Sequence, residues 1–241
     1  ADLTKRFIAL GIFIISFIQF VLTVAPTTSF WDCGEFIAAA YTMGVPHPPG
    51  APLFIMLGRF FTIFIPFIDV GLRVNLISVI TSAFTVVILY LITIRLIEEW
   101  RGRSDSIENL VVVHSGGVIA ALTFTFSDTF WFNAVETEVY ALSIFFTSLV
   151  LWMVILWMDN HKDTRSLRFL LFCFYIFGLG AGVHLLSLLV IPSIIILISF
   201  TNLRSVLRFD FWGLAVLLGL LGITTYIMVY IRSGLNPVID E

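Results

Sequence analysis

The sequence is poor in charged residues, and this scarcity determines the class of protein. Of its 241 residues only 12% are charged, whereas 59% are hydrophobic, and the mean hydropathy is +1.05. A soluble domain carries about a quarter charged residues, and several apolar runs here approach the roughly 20 residues that a bilayer crossing needs. The composition therefore excludes an ordinary soluble domain. It predicts an all-α polytopic membrane protein, with residues 1–241 as a single membrane domain.

Cysteine and clustered basic charge are also scarce. The two cysteines, Cys33 and Cys173, fall in different segments and form no disulfide framework or metal-binding motif. The net charge of −3 gives no sign of polyanion binding, so a nucleic-acid partner is not expected. No small-residue cleavage site follows the first apolar run, which is therefore predicted to be a retained anchor rather than a signal peptide.

The apolar runs predict about seven transmembrane helices. They cover residues 7–24, 72–96, 110–126, 139–158, 169–200 and 211–231, and the run 169–200 counts as two short spans that break near 180–184. Between the first two spans, a short amphipathic helix is predicted over about 35–43. Residues 127–138 are predicted to form an aromatic, acidic loop.

The lysines and arginines predict which way the chain crosses the membrane, because short cytoplasmic loops are enriched in them. They form four clusters: Lys5 and Arg6; Arg95, Arg101 and Arg103; Lys162, Arg165 and Arg168; Arg204 and Arg208. All four share one side only if residues 51–67 do not cross. Arg59 at the centre of that segment would also cost about 2.5–3.5 kcal/mol on insertion scales. Residues 51–67 are therefore predicted to be a juxtamembrane or re-entrant element.

The stretch 26–54 gathers more polar and turn-forming groups than any other part of the chain. Asp32 and Glu35 are three residues apart, so a helix that starts there places both carboxylates on one face. His47 and Pro48 open the sequence HPPG, which predicts a rigid turn because proline fixes φ and glycine releases the chain afterwards. The Asp32–Glu35 spacing also fits a capping box, which needs no catalysis, so a structural role stays open.

The predicted topology brings a set of ionisable groups to the outer face: Asp32, Glu35, His47, Glu136, Glu138, His184 and Arg232. Ionisable groups at membrane depth are functional candidates, since the bilayer imposes a large desolvation cost on them. Carboxylates suit general-base activation of a hydroxyl, and arginine or histidine suits a phosphate leaving group. The residues thus predict transfer from a phosphate-linked donor to an acceptor at the outer membrane surface.

Structural roles remain open for most of these groups. The two glutamates fit the acid preference of a helix N-terminus, and a lone histidine such as His184 is typically hydrogen-bonded within its bundle. Arg232 fits an interfacial residue whose charged end reaches the polar headgroups. Arg59 is predicted to pair either with an outer-loop acid or with a lipid phosphate.

Residues 31–54, WDCGEFIAAAYTMGVPHPPGAPLF, resemble the first outer loop of the GT-C protein O-mannosyltransferases that carry a DxGE…HPPGxPL signature. That group contains the plexin and IPT-domain O-mannosyltransferase and its bacterial relatives. Weaker matches are Arg73-Val74-Asn75-Leu76, Glu138-Val139-Tyr140 and residues 178–184. The resemblance implies a GT-C-like bundle with an outer catalytic loop over about 25–71. Because relatives continue with more spans and a soluble C-terminal region, it also implies that this chain is an N-terminal module.

The same resemblance implies a function. A polyprenyl-phosphate-linked hexose, expected to be mannose, would be the donor, and a serine or threonine of an extracytoplasmic protein would be the acceptor. Asp32 would be the base with Glu35 as its neighbour, and His47 and Pro48 would lie near the donor phosphate, with Arg59, Glu136, Glu138, His184 and Arg232 as further substrate-binding candidates. The enzyme would face outward from a bacterial plasma membrane or the ER membrane of a eukaryote. No metal-ligand set is visible in the sequence, and the resemblance leaves a divalent-metal requirement open.

A lipid-binding or transport protein for polyprenyl phosphate, without bond cleavage, is the alternative prediction. A transporter typically shows discontinuous helices that meet at mid-bilayer and an internal repeat. The sequence shows no repeat, and its candidate groups gather at one interface, which favours the transferase. A structural subunit of a larger complex is a weaker third alternative.

Overall fold

The computed structural model describes residues 2–102 and 106–240, and Arg103 of the basic clusters lies outside this part of the chain. Regular structure in the described residues is helical, apart from one isolated bridge between Val45 and Asp240. The α-helices are α1 Asp2–Thr23, α2 Cys33–Thr42, α3 Pro52–Phe64, α4 Val70–Arg101, α5 Ile107–Thr125, α6 Asp128–Ala134, α7 Val139–Asp159, α8 Leu167–Ala181, α9 Ile191–Val206, α10 Phe209–Ile223 and α11 Ile227–Ser233. Short 3₁₀ turns at Thr164–Ser166, Leu185–Val190 and Thr224–Tyr226 extend α8, α9 and α10.

Seven segments of the described chain are long and apolar enough to cross a membrane. They are Leu3–Thr23, Val70–Arg101, Ile107–Thr125, Val139–Asp159, Thr164–Ala181, Leu185–Val206 and Phe209–Ser233. The prediction of an all-α polytopic membrane protein is confirmed. Because α3 has 13 residues, its length at 1.5 Å per residue is about 20 Å. This is less than the roughly 30 Å of a hydrocarbon core, as expected for a segment that does not cross.

The long apolar run 169–200 is divided into two spans, as predicted. Helix α8 ends at Ala181, and the 3₁₀ turn that leads into α9 begins at Leu185. Helices α8 and α10 then lie close together, because Gly178 and Gly222 leave no side chain between them: a Cβ on Gly178 would lie 2.8 Å from the Cα of Gly222. The predicted loop 127–138 differs in one respect, since it contains the short helix α6.

The ends of the spans fall into two groups. The Arg95 guanidinium donates to both carboxylate oxygens of Asp159, which joins the C-terminal ends of α4 and α7 on the side of the basic clusters. The opposite ends of these helices therefore lie at the other side of the bundle. We call that side the loop end; it carries residues 24–69, 126–138, 182–184 and 234–240.

The segment between α1 and α4 folds into the core instead of lying over the surface. Phe36 of α2 and Phe54 of α3 are buried, with their ring centroids 5.6 Å apart. Gly58 permits the close approach of α3, because a Cβ there would lie 2.6 Å from the Cβ of Ala40. The two short helices thus hold the residues before and between them in fixed positions at the loop end.

Candidate functional site

Two loops meet at the loop end, and a buried asparagine joins them. Asn75 of α4 donates from Nδ2 to the carbonyls of Ala25, at 2.7 Å, and Thr27, at 3.1 Å. Its Oδ1 accepts from the Thr137 hydroxyl. In addition, the amide of Ala25 donates to the carbonyl of Val135 at 2.8 Å. These bonds fix the loop before α2 against the loop before α7.

Asp32 stands immediately before α2, and its side chain is exposed. The carboxylate does not cap the helix, and no described residue donates a hydrogen bond to it or forms an ion pair with it. The capping-box alternative for Asp32 is therefore wrong. Its carboxylate is instead available to a molecule that enters the site.

Glu35 binds the HPPG turn and does not bond back to the start of its own helix. Its Oε1 accepts from the His47 amide at 2.6 Å, and its Oε2 lies 2.7 Å from His47 Nδ1. The turn continues through a cis peptide bond between Pro48 and Pro49 and a positive φ of 88° at Gly50. Positive φ is a conformation that glycine adopts readily. Glu35 therefore fixes the position of the His47 ring at the loop end.

Glu136 and Glu138 are buried carboxylates, with exposed fractions of 2% and 6%. The Ser29 hydroxyl donates to Glu136 Oε2 at 2.6 Å, whereas Glu136 Oε1 is buried and accepts no hydrogen bond from the described residues. Burial, followed by the charges of Asp32 and Glu136, raises the pKa of Glu138 to about 7. No lysine, arginine or histidine of the described chain forms an ion pair with either glutamate. An acid can stabilise a helix N-terminus while it is exposed, so this role alone does not explain why both glutamates are buried.

Cys33 lies beside the two glutamates, a position that sequence reasoning missed. Its Sγ is buried 3.9 Å from Glu138 Oε1, and burial, with the charges of both glutamates, raises the pKa of Cys33 to about 12. One donor atom each of Cys33, Glu136 and Glu138 lies within 4.8 Å of the other two, and the same holds for Asp32, Glu35 and His47. The sequence signal was slight: Cys33 is next to Asp32, but Glu138 follows 105 residues later.

Two cavities meet at Asp32. The smaller, of about 80 Å³, is lined by Asp32, Phe36, His47, Pro48, Pro49, Ala51, Glu138, Val139, Tyr140, Val183 and His184. The larger, of about 250 Å³, is lined by Trp31, Asp32, Phe132, Asn133, Glu136, Glu138 and Tyr140. Asp32, Glu138 and Tyr140 line both cavities. Six of the residues predicted to form the site thus line these cavities: Asp32, His47, Pro48, Glu136, Glu138 and His184. A seventh, Glu35, lies beside them through its contact with His47.

His184 has a structural contact and also faces the smaller cavity. Its Nδ1 accepts from the amide of Leu186 at 3.1 Å, which caps the 3₁₀ turn before α9. Its ring centroid lies 5.4 Å from that of Tyr140. Burial lowers the pKa of His184, so the neutral ring is favoured. The predicted hydrogen bond within the bundle is therefore present, at the wall of the cavity.

Arg59 and Arg232 line neither cavity. Arg232 donates from Nε to the Met43 carbonyl at 2.6 Å, and from Nη2 to the Thr42 carbonyl at 3.2 Å. Arg59 donates to the Tyr41 carbonyl, and no described acid pairs with it. Both arginines therefore satisfy carbonyls at the C-terminal end of α2, where positive charge is favourable.

Comparisons with known proteins identify the family. Protein O-mannosyl-transferase TMEM260 of Mus musculus is 34% identical over 136 residues, which are 56% of this chain and 17% of that protein. The tmem260 protein O-mannosyl-transferase of Dictyostelium discoideum is 26% identical over an alignment 245 residues long, which covers 94% of this chain and 28% of that protein. The chain thus spans less than a third of either relative's length, and no solved structure matches it. The model of the protein O-mannosyl-transferase TMEM260 N-terminal domain matches residues 32–207, and the chain belongs to this family.

Proposed function

We propose that this chain forms the N-terminal membrane part of a protein O-mannosyltransferase with a GT-C-like arrangement of helices. Mannose would pass from a polyprenyl-phosphate-linked donor to a serine or threonine of a protein on the extracytoplasmic face of a bacterial plasma membrane or an ER membrane. The names of both relatives support transfer of mannose to protein. The DxGE…HPPG loop, which begins where the family match begins at Asp32, is proposed as the signature of the site.

The observation that carries the proposal is the exposed Asp32 carboxylate at the junction of two cavities. A general base must reach the proton that it removes, and its lone pairs must be available. Asp32 meets both conditions, whereas both oxygens of Glu35 are engaged by His47. We therefore assign Asp32 as the base and Glu35 as a positioning residue.

The reaction then follows from this assignment. The acceptor hydroxyl oxygen attacks the anomeric carbon of mannose, and its proton passes to Asp32. The bond between that carbon and the phosphate oxygen breaks, and polyprenyl phosphate leaves. His47, Pro48 and His184 line the smaller cavity and would contact the donor, while Glu136 and Glu138 adjoin the larger one. Arg59 and Arg232 are not assigned to substrate, because they bind the carbonyls that end α2.

The test is turnover by the complete polypeptide that carries these 241 residues, purified in nanodiscs with polyprenyl-phosphate-mannose and a Ser/Thr acceptor peptide. We expect Asp32→Asn to lower the transfer rate by about 10²–10⁴-fold, the range that general-base catalysis contributes, with an unchanged melting temperature. The matched control is Asp128→Asn, an exposed acid of α6 that lines neither cavity.

Undiminished transfer by Asp32→Asn would remove Asp32 from the mechanism. If the wild type binds the lipid but releases no polyprenyl phosphate when acceptor is present, the lipid-binding alternative replaces the transferase.

A further inference from the structure

We propose that Glu136, Glu138 and Cys33 form a binding site for a divalent metal ion of the zinc class. The three side chains come from two loops that Asn75 ties together. One donor atom of each lies within 4.8 Å of the other two, so a single ion between them can reach all three after small side-chain adjustments.

The orientation of Glu136 is the first argument for a ligand at this position. Ser29 holds Oε2 through a 2.6 Å hydrogen bond, and Oε1 is buried without a hydrogen-bond partner among the described residues. A buried carboxylate oxygen without a partner is costly, because it has lost water and gained nothing in return. Carboxylates that bind metals are typically held by such an outer hydrogen bond, which orients the second oxygen towards the ion.

The local charge is the second argument. Glu136 and Glu138 are almost fully buried, Asp32 lines both cavities together with Glu138, and no described basic side chain pairs with the two glutamates. Buried charges are normally paired or coordinate a metal ion. A divalent cation would neutralise both carboxylates at once.

The chemistry of the donor atoms selects the class of ion. Zinc accepts thiolate, imidazole and carboxylate ligands, whereas magnesium and calcium take oxygen. On binding, Cys33 would release its proton to solvent and ligate the ion as thiolate. Three protein ligands leave a fourth position open to substrate, as in catalytic rather than structural zinc sites.

The role of the ion rests on the proposed transferase function, although its binding does not. A donor phosphate at these cavities would face Asp32, Glu136 and Glu138, and neither cavity is lined by lysine or arginine. A metal ion held by Glu136 and Glu138, which line the larger cavity, would supply the missing positive charge. It would polarise a phosphate oxygen and stabilise the leaving group.

The test measures zinc binding to the complete polypeptide in detergent, after removal of metals with a chelator and without donor. We expect stoichiometric binding by the wild type and at least tenfold weaker binding by Glu136→Gln. The control is Glu108→Gln, which removes an exposed acid at the start of α5 on the opposite side of the bundle. Wild-type affinity in Glu136→Gln, or failure of the wild type to bind zinc at micromolar concentration, would overturn the proposal.

Two further measurements distinguish a loss of zinc binding from a loss of folding or of catalysis. Zinc should raise the melting temperature of the wild type and of Glu108→Gln but not of Glu136→Gln, because a ligand stabilises only a state that binds it. Cys33→Ser should weaken zinc binding at least tenfold, and an unchanged affinity would contradict the three-ligand site. An Asp32→Asn protein that loses transfer but still binds zinc would show that the metal site does not depend on the proposed base.

Discussion

The carboxylates of Asp32 and Glu35 are three residues apart in the sequence but have different surroundings in the structure. Asp32 is exposed and unpaired, whereas Glu35 holds the amide and ring of His47. The DxGE spacing alone assigns the same chemistry to both acids. The difference arises because the turn after α2 brings His47 back over the second carboxylate.

The Glu35–His47 contact predicts coupling between these two side chains. Glu35→Ala and His47→Ala should each destabilise the protein, and the double variant should be about 1–2 kcal/mol less destabilised than the sum of the two. This magnitude reflects a charge-assisted hydrogen bond, reduced for the partial exposure of both groups. A double-mutant cycle of thermal unfolding in detergent measures it. Strict additivity would show that the contact contributes nothing to stability.

Sequence reasoning brought the candidate site residues to one end of the bundle but did not find their partners. Asp32, His47 and Glu138 were selected because they are ionisable residues and because the predicted topology places them at one end of the bundle. The contact of Cys33 with Glu138 joins residues 105 positions apart, and no local pattern encodes it. Arg232 was placed at the correct end, yet its carbonyl partners Thr42 and Met43 depend on how the chain returns after α11.

At the scale of elements, the packing of α8 against α10 depends on glycine. A Cβ on Gly178 would lie 2.2 Å from the Gly219 carbonyl oxygen and 2.8 Å from Gly222 Cα. Both are backbone atoms that cannot rotate away. Small residues at such crossings let membrane helices approach closely, and the gain comes from van der Waals packing.

Gly178→Ala is therefore expected to destabilise the protein by about 1–3 kcal/mol, the usual cost of overpacking. The control is Gly213→Ala on α10, where a Cβ would meet nothing within 4 Å. That change should be neutral or stabilising by up to about 1 kcal/mol, since alanine favours a helix more than glycine does. Thermal unfolding in detergent compares the two. Equal stability of both variants would contradict the close packing of α8 and α10.

The helices themselves were largely predictable, because length and hydropathy decide which segments cross a bilayer. The distribution of basic residues also predicted that residues 51–67 add no span and that residues 169–200 form two, and the lengths of the described helices agree with both. The short helix α6 was not predicted. Its seven residues, DTFWFNA, are too few for a helical period to stand out against the surrounding aromatic side chains.

At the scale of the whole molecule, the alternation of seven spans places every site residue at the loop end and the described basic clusters at the other. The positive-inside rule then predicts that the loop end faces away from the cytoplasm. Cys33 and Cys173 are both buried, so a cysteine introduced at an exposed position of these 241 residues can report the orientation of this part of the protein.

In sealed membrane vesicles of known orientation, an impermeant maleimide should label Phe30→Cys from the extracytoplasmic side. It should label Lys162→Cys, which is exposed at the other end, only after permeabilisation. Quantitative gel shift or mass spectrometry reads the labelling. The reverse pattern would contradict the predicted orientation and with it an extracytoplasmic site.

Asp32, Glu138 and Tyr140 form a wall common to both cavities. A molecule that displaces any of these side chains from one cavity alters the shape and the charge of the other. Occupancy of the two spaces is therefore thermodynamically linked, and the linkage is reciprocal: whatever factor the first ligand applies to the affinity of the second, the second applies to the first. Two substrates that meet at this wall would not bind as independent events. The dissociation constant of each would depend on whether the other is bound, whereas the total free energy of binding both would not depend on the order of binding.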